Sequence, residues 1–199
     1  MPARRFIVLG RRAIASEDFS LDDLPSSSGR LDVLARCVRA ALLFSHGVRH
    51  DTVLYLVLLA GGRAPRTVRI TGAEAKYLRP DERSLAILLQ KSLTTRDDET
   101  TPGFLGVRPG IAIARGGLDV VLEDCGASTL HVLEEGAEDV RSVVFEGDQT
   151  FVLGDDRGFD EATRERLSLL GARPLGVGPK SLHTEDALTI VVNELDRRD

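Results

Sequence analysis

The chain alternates runs of consecutive apolar residues with segments whose apolar residues recur at helical spacing. The runs at 5–10 and 52–59 are apolar almost throughout, which is typical of strands buried on both faces of a sheet. Residues 16–29 are rich in Asp, Ser and Pro, which predicts a loop. The apolar residues that follow recur every three or four positions, and this spacing predicts a helix over 31–45.

Two polar segments mark the ends of elements in the middle of the chain. Asp81 follows a proline and precedes an apolar segment, so we expect it to cap a helix over 84–92. From 94 to 108 the composition changes to Thr, Asp, Glu, Pro and Gly, which predicts a long flexible loop or a boundary between lobes. The remaining predicted elements are strands at 67–71, 111–114, 129–133 and 143–145 and a helix at 118–123.

The final quarter of the chain has the clearest pattern. It predicts a strand at 150–153, a helix at 159–170, a strand at 173–177 and a closing helix at 184–196. This alternation implies parallel strands joined by crossover helices. Glycine-rich turns follow both strands, where ligands bind in such sheets. We therefore expect an α/β fold with a ligand site at the carboxyl ends of two neighbouring strands.

Composition narrows the class of protein. With 199 residues, 42% of them hydrophobic, the chain can form one core or two small lobes. Its longest apolar run, 53–60, is strand-sized and far shorter than the roughly 20 residues of a membrane span. The apolar stretch 6–9 is too short for a signal peptide. We expect a cytoplasmic protein that does not bind membranes.

The cysteines, the histidines and the net charge give little information about a bound metal or an RNA partner. Cys37 and Cys125 lack a CxxC spacing and the four histidines are scattered, so no metal site is predicted. The net charge is −5, but only three of the 26 basic residues are lysines. Arginine binds phosphate bidentately and stacks on bases, so a local arginine cluster can still bind RNA. Genome composition is the alternative explanation for most of these arginines.

Two glycine-containing segments carry the candidate chemistry. In Phe151-Val-Leu-Gly-Asp-Asp-Arg-Gly-Phe159, Gly154 directly follows a buried strand, so a ligand can approach the backbone without meeting a Cβ. Leu175-Gly-Val-Gly-Pro-Lys-Ser-Leu182 predicts a bent loop whose backbone N–H and C=O groups can bind adenine. Taken alone, the first segment is better explained as an ordinary turn beside a helix, and the second fits such a turn equally well. Neither a Walker loop nor a GxGxxG is present, which argues against nucleoside triphosphates and dinucleotides.

Further motifs occur in order along nearly the whole chain. They are Asp18-Phe-Ser-Leu-Asp-Asp-Leu-Pro25, Gly29-Arg-Leu-Asp-Val-Leu-Ala-Arg36, Arg79-Pro-Asp-Glu-Arg-Ser84 and Val191-Val-Asn-Glu-Leu-Asp196. Together with the two glycine segments, they resemble the TrmY branch of the SPOUT methyltransferases. The resemblance implies one domain over 1–199, an α/β fold with a mostly parallel sheet flanked by helices, and a C-terminal trefoil knot, a rare exception to unknotted chains.

The same resemblance implies the activity. Family members bind S-adenosylmethionine, usually act as homodimers, and methylate N1 of pseudouridine 54 in tRNA; DNA is not an expected partner. Two alternatives stay open. One is a SPOUT methyltransferase acting on another RNA position, and the other is a non-catalytic RNA-binding module with a decayed cofactor site.

Individual residues can be matched to the family's cofactor pocket. The resemblance assigns the cofactor to Leu133, Gly154, Leu175, Gly176, Val177, Gly178, Pro179, Lys180, Leu182 and Ala187. At Ala187 the family commonly has a cysteine, so a sulfur contact is absent here. Asp155 is followed by Asp156 where the family has an Asp-His pair, which leaves the role of that histidine unfilled.

Catalysis and RNA binding are assigned to charged residues. Methylation at N1 requires the N1 proton to leave or to be held by an acceptor, and the candidates are Asp155, Asp32 and Asp81. For Asp81 a helix cap is the stronger alternative. The predicted RNA contacts are Arg36, Arg39, Arg79 and Arg83, for which solvated helix surface is the alternative.

Overall fold

The structure, a computed structural model, describes residues 3–96 and 103–198. The strands are β1 (Arg4–Ile14), β2 (Leu43–Phe44), β3 (Gly47–Val48), β4 (Thr52–Ala60), β5 (Arg66–Thr71), β6 (Leu105–Arg108), β7 (Ile111–Arg115), β8 (Thr129–Leu133), β9 (Gln149–Gly154) and β10 (Arg173–Leu175). The helices are α1 (Leu24–Ser27), α2 (Leu31–Leu42), α3 (Glu82–Leu93), α4 (Leu118–Cys125), α5 (Glu161–Leu169) and α6 (Thr184–Asp196).

Within the described residues, eight strands form one sheet in the order β10-β8-β9-β1-β4-β5-β7-β6, and β2 and β3 form a small separate hairpin. The pairings from β10 to β4 are parallel, whereas β5, β7 and β6 are added antiparallel. The predicted α/β class is therefore confirmed. One expectation about the order was wrong: β9 and β10 are not neighbours, because β8 pairs with both.

Side-chain alternation along the strands divides the core into two layers. Phe6, Val8 and Leu54 point to the face covered by α2, α3 and α6, where the larger cluster of buried side chains lies. Ile7 and Leu9 point to the opposite face, which is covered by the short helices α4 and α5. Successive residues of a strand face opposite sides of the sheet, so the consecutive apolar residues of β1 fill both layers.

Several predicted segments differ from the structure. The helix predicted over 31–45 ends at Leu42, and Leu43–Phe44 form β2. The predicted loop at 94–108 contains β6 at its end, paired with β7, while 97–102 of that loop lie outside the described residues. Residues 143–145 are not a strand. Instead, Phe145 packs edge-on against the rings of His131 and Phe151, with centroids 5.3 and 5.6 Å apart. Its apolar character therefore serves packing against β8 and β9.

Among the described residues, no helix is both long enough and apolar enough to cross a lipid bilayer.

Candidate cofactor site

A cavity of about 350 Å³ lies where β8 and β9 end and the chain leaves β10. It is lined by Leu133, Glu134, Glu135, Leu153, Gly154, Asp155, Gly158, Phe159, Arg164, Val177, Gly178, Lys180, Ser181, Leu182, Thr184 and Ala187. The position is the one expected for a ligand in a parallel sheet, beyond the carboxyl ends of its strands. The volume falls within the roughly 300–1,000 Å³ typical of small-molecule sites.

Close chain packing explains the glycine at 154. A Cβ on Gly154 would lie 2.7 Å from the Cα of Gly158, because the turn after β9 folds back over the strand end. The carbonyl oxygen of Gly154 accepts a 2.8 Å hydrogen bond from the hydroxyl of Thr184, in the first turn of α6. Gly154 thus permits a tight turn and also joins two walls of the cavity.

The glycine at 176 lies where two segments of backbone cross. A Cβ there would lie 2.5 Å from the carbonyl oxygen of Ala137. The N–H of Gly176 donates to Glu138 O at 2.7 Å, and its own carbonyl accepts from the N–H of Val140 at 2.8 Å. The chain leaving β10 is therefore held against the segment that follows β8.

The loop from Val177 to Leu182 leaves its backbone polar groups available. Within the described part of the chain, none of its N–H or C=O groups takes part in an intramolecular backbone hydrogen bond. Gly178 adopts φ +146°, a conformation that other residues rarely reach, and no atom of the described residues lies within 4 Å of the position that a Cβ would take there. Backbone groups of this kind are satisfied by water or by a ligand, and adenine offers both donors and acceptors.

Charges of both signs line the same cavity. Glu134, Glu135 and Asp155 supply carboxylates, and Arg164 and Lys180 supply cations. Arg164 is paired with Glu134 at 3.1 Å. Leucines, Val177 and Ala187 add apolar surface. The lining therefore suits a ligand with an aromatic part and a zwitterionic part.

Seven of the ten residues predicted to hold the cofactor line this cavity: Leu133, Gly154, Val177, Gly178, Lys180, Leu182 and Ala187. Leu175 is fully buried in the core, Gly176 lies at the backbone crossing, and Pro179 is exposed beside the loop. The lining residues that were not predicted as site residues are Glu134, Glu135, Leu153, Gly158, Phe159, Arg164, Ser181 and Thr184. Several of them lie in or beside the glycine-containing segments, so proximity in the sequence to the predicted residues was the available signal.

A second, larger cavity of about 750 Å³ adjoins the first. Asp155, Gly158, Ser181, Leu182 and Thr184 line both. The rest of its lining comes from Arg30, Val33, Arg36, Asp156, His183, Glu185 and Asp186. The two cavities therefore lie side by side with a shared wall, and the larger one has more charged residues in its lining.

The three candidate acids occupy different environments. Asp155 is buried, and its two carboxylate oxygens accept the backbone N–H groups of Arg11 at 2.6 Å and Arg157 at 2.9 Å. Asp32 is buried beneath Arg30 and Arg36. Burial raises its pKa, but the hydrogen bonds from both arginines outweigh this and hold the pKa below its usual range. Only Asp155 of the three borders both cavities.

Asp81 caps α3, as its sequence position suggested. Its side chain accepts the N–H of Ser84 at 2.8 Å, and this bond lowers its pKa. The carboxylate is exposed and lines neither of the two cavities. Its observed role is that of a helix cap.

The predicted RNA-binding arginines also differ from one another. Arg36 contacts three carboxylates, those of Asp32, Glu82 and Glu185, at 3.0, 2.7 and 2.5 Å. Burial alone would lower its pKa, but these partners raise it. Arg83 pairs with Asp22 at 3.0 Å. Arg39 and Arg79 are exposed and form no ion pair with the described residues.

Known proteins resemble this chain over nearly its full length. A family model described as "Putative SAM-dependent RNA methyltransferase" matches residues 3–199. Relatives from Methanosarcina acetivorans, Halobacterium salinarum and Methanocaldococcus jannaschii are 40%, 39% and 36% identical to it. The matches cover 98%, 97% and 98% of this chain and 91%, 96% and 97% of the relatives. Each is named tRNA (pseudouridine(54)-N(1))-methyltransferase.

The fold also has a counterpart among solved structures. The crystal structure of Archaeoglobus fulgidus Nep1 bound to S-adenosylhomocysteine aligns with 99% of this chain and 98% of its own, with a TM-score of 0.67. Sequence identity is 13%, so the likeness concerns the fold. It agrees with the mostly parallel sheet flanked by helices. The motif resemblance is confirmed, and the chain belongs to this family of SAM-dependent RNA methyltransferases.

Proposed function

We propose that this protein transfers a methyl group from S-adenosylmethionine to N1 of pseudouridine 54 in tRNA. The observation that carries the proposal is the pair of adjoining cavities at the carboxyl ends of β8 and β9, which share Asp155 in their walls. The names of the relatives support the reaction and the target, and the ligand of the Nep1 structure supports the cofactor.

The smaller cavity fits the proposed cofactor. The unpaired backbone groups of Val177–Leu182 would bind adenine, and Leu133, Leu153 and Ala187 would pack against the nucleoside. Lys180 and Arg164 would bind the carboxylate of the methionine part, and Glu134 and Glu135 its ammonium group. S-adenosylmethionine supplies an electrophilic methyl group carried on a sulfonium.

The protein's task is to align the base and to accept its proton. Pseudouridine is joined to ribose through C5, so N1 carries a proton in the neutral base. Asp155 borders both cavities, and an ionised carboxylate has about four lone-pair sites. Two of these accept backbone N–H groups, which leaves capacity for the N1 proton. We assign Asp155 the acceptor or orienting role, in preference to the ion-paired Asp32 and the helix cap Asp81.

The larger cavity would receive the target nucleotide. It is lined by cations, carboxylates and polar groups, as suits a nucleotide with a phosphate and hydrogen-bonding edges. A base in a folded tRNA loop must leave its stack to enter such a pocket. Arg39 and Arg79, which are exposed, are proposed contacts to more distant RNA, whereas the carboxylates around Arg36 and Arg83 compete with phosphate for those two guanidinium groups.

The family resemblance adds proposals on assembly. We propose that residues 1–199 form one domain, because a single sheet contains strands from Arg4 to Leu175. A trefoil knot is supported by the crossing at Gly176.

A cytoplasmic homodimer is expected of this family. Leu182, which is 41% exposed beside both cavities, offers apolar surface to a second copy. Light scattering on the purified protein tests the dimer.

The reaction is tested with labelled cofactor and two tRNA transcripts, one with pseudouridine and one with uridine at position 54. Label transfer to the first alone supports the proposal, and mapping the product identifies the nucleotide. Transfer that ignores pseudouridine points to another RNA position. A decayed cofactor site is indicated instead if calorimetry detects no cofactor binding at millimolar concentration.

A further inference from the structure

The carboxylate of Asp155 fixes two arginine residues from distant parts of the sequence. It accepts the backbone N–H of Arg11, in the last third of β1, and that of Arg157, in the turn after β9. A second link joins the same pair, since the guanidinium of Arg11 donates to the carbonyl oxygen of Arg157 at 3.3 Å. The two main chains are therefore held side by side at the wall of the larger cavity, which Asp155 lines.

The guanidinium groups of this region are only weakly engaged. Arg157 is exposed and has no side-chain ion pair within the described residues. For Arg11 and for its neighbour Arg12, the nearest carboxylates, those of Asp160 and Asp156, lie 3.9 Å away. That distance exceeds a hydrogen bond, and exposed ion pairs of this kind contribute little. Most of the forked N–H donors of the three arginines are thus available.

Two of the three nearby carboxylates, those of Asp155 and Asp160, accept hydrogen bonds from backbone N–H groups. Both oxygens of Asp155 accept N–H groups, as described above. Asp160 caps α5 by accepting the N–H of Thr163 at 2.9 Å, which lowers its pKa. The other oxygen of Asp160 faces Arg11 and the carboxylate of Asp156 faces Arg12, each at 3.9 Å. The unused hydrogen-bonding groups of this surface are therefore mainly the donors of arginine.

Taking the proposed function as given, we propose that Arg11, Arg12 and Arg157 form a phosphate-binding surface for the tRNA backbone next to the target nucleotide. Arginine presents a planar fork that matches two phosphate oxygens. Asp155, Asp156 and Gly158, which line the larger cavity, adjoin the three arginines. A nucleotide bound in that cavity would therefore place its flanking phosphates near the arginine side chains. Asp155 then acts as a positioning residue for the surface, in addition to its place in the site.

The test compares Arg157→Ala and the double variant Arg11→Ala/Arg157→Ala with the wild-type protein. Arg108→Ala is the matched control, because Arg108 is an exposed arginine on β6, at the far edge of the sheet. Binding of fluorescent tRNA is measured by anisotropy over a series of salt concentrations. Each lost phosphate contact should reduce the slope of log affinity against log salt by about 0.7–0.9. Calorimetry with S-adenosylmethionine should give the wild-type affinity for every variant.

The outcomes separate this surface from the function on which it rests. An unchanged salt slope in the double variant overturns the surface, and methylation of tRNA by the wild-type protein in the same experiment leaves the proposed function intact. A reduced slope in a protein that binds tRNA but transfers no methyl group supports the surface and contradicts the function. A reduced slope in Arg108→Ala of the same size as in Arg157→Ala also overturns the assignment to this surface.

Discussion

The hydroxyl of Thr184 donates a 2.8 Å hydrogen bond to the carbonyl oxygen of Gly154. This bond joins the first turn of α6 to the carboxyl end of β9, and both residues line the smaller cavity. Thr184 is buried, so the bond is partly shielded from water. It fixes the distance between two walls that would contact the cofactor from different sides.

Thr184→Val should therefore weaken both the fold and cofactor binding. The substitution keeps the shape of the side chain but leaves the Gly154 carbonyl without its donor, at a cost of about 1–3 kcal/mol in the free energy of unfolding. Urea unfolding and calorimetry with S-adenosylmethionine measure the two effects. Thr184→Ser keeps the hydroxyl and is the control. Equal cofactor affinities for the Val and Ser variants would contradict the role assigned to this bond.

The sequence predicts best those strands and helices whose buried residues recur at a regular spacing along the chain. The bounds of β8 and α6 agree with their predicted ranges, 129–133 and 184–196. Strand order is different, because pairing joins residues far apart in the chain. Nothing near 173–177 indicates that β10 pairs with β8 and not with β9. The family resemblance supplied the class of sheet, but not this pairing.

The same distinction applies to the candidate site. The glycine motifs marked the correct loops, and most of the residues taken from them line the cavity. Short sequence motifs could not predict contacts between residues far apart in the chain. Asp155 binds the backbone of Arg11, and Arg36 binds Glu82 and Glu185. Asp155, a candidate acid, therefore also fixes the backbone of Arg11. Arg36, a candidate RNA contact, belongs to an ion-pair network within the protein.

Gly176→Ala should be strongly destabilising. Its Cβ would lie 2.5 Å from the carbonyl oxygen of Ala137 and 3.1 Å from the carbonyl carbon, so two hydrogen-bonded backbone segments would have to separate. Overpacking of this kind costs roughly 1–3 kcal/mol. Thermal unfolding measures the loss. Gly62→Ala is the control, because no atom of the described residues lies within 4 Å of the position its Cβ would take. Similar unfolding temperatures for the two variants would argue against a tight crossing.

Ala187→Cys should strengthen cofactor binding. Ala187 lines the smaller cavity, and the family resemblance places a cysteine there. A sulfur atom adds polarisable contact surface worth about 0.3–1.5 kcal/mol against an aromatic ring, which corresponds to roughly twofold to tenfold in affinity. Calorimetry with S-adenosylmethionine measures the change. Ala187→Ser adds a side-chain atom without the sulfur, and an equal gain in that variant would assign the effect to size alone.

His131 should make stability depend on pH. It is buried, its Nε2 lies 2.9 Å from Oε1 of Gln149, and its Nδ1 has no hydrogen-bond partner among the residues that the structure describes. The amide nitrogen of Gln149 donates to the carbonyl oxygens of Glu146 and Gly147, so Oε1 is the acceptor and Nε2 carries the proton. Protonation would place a second N–H among the rings of Phe145 and Phe151 without an acceptor.

Burial accordingly lowers the pKa of His131 below its usual value near 6.5. The unfolded chain then binds a proton that the folded chain does not, between the folded pKa and about 6.5. The free energy of unfolding is greatest above that window and falls as the pH is lowered through it. Urea unfolding from pH 7.5 to 5.5 measures the loss. His131→Gln can donate to Gln149 without titrating, so its stability should vary less over this range; parallel pH profiles for the two proteins would exclude His131 as the cause.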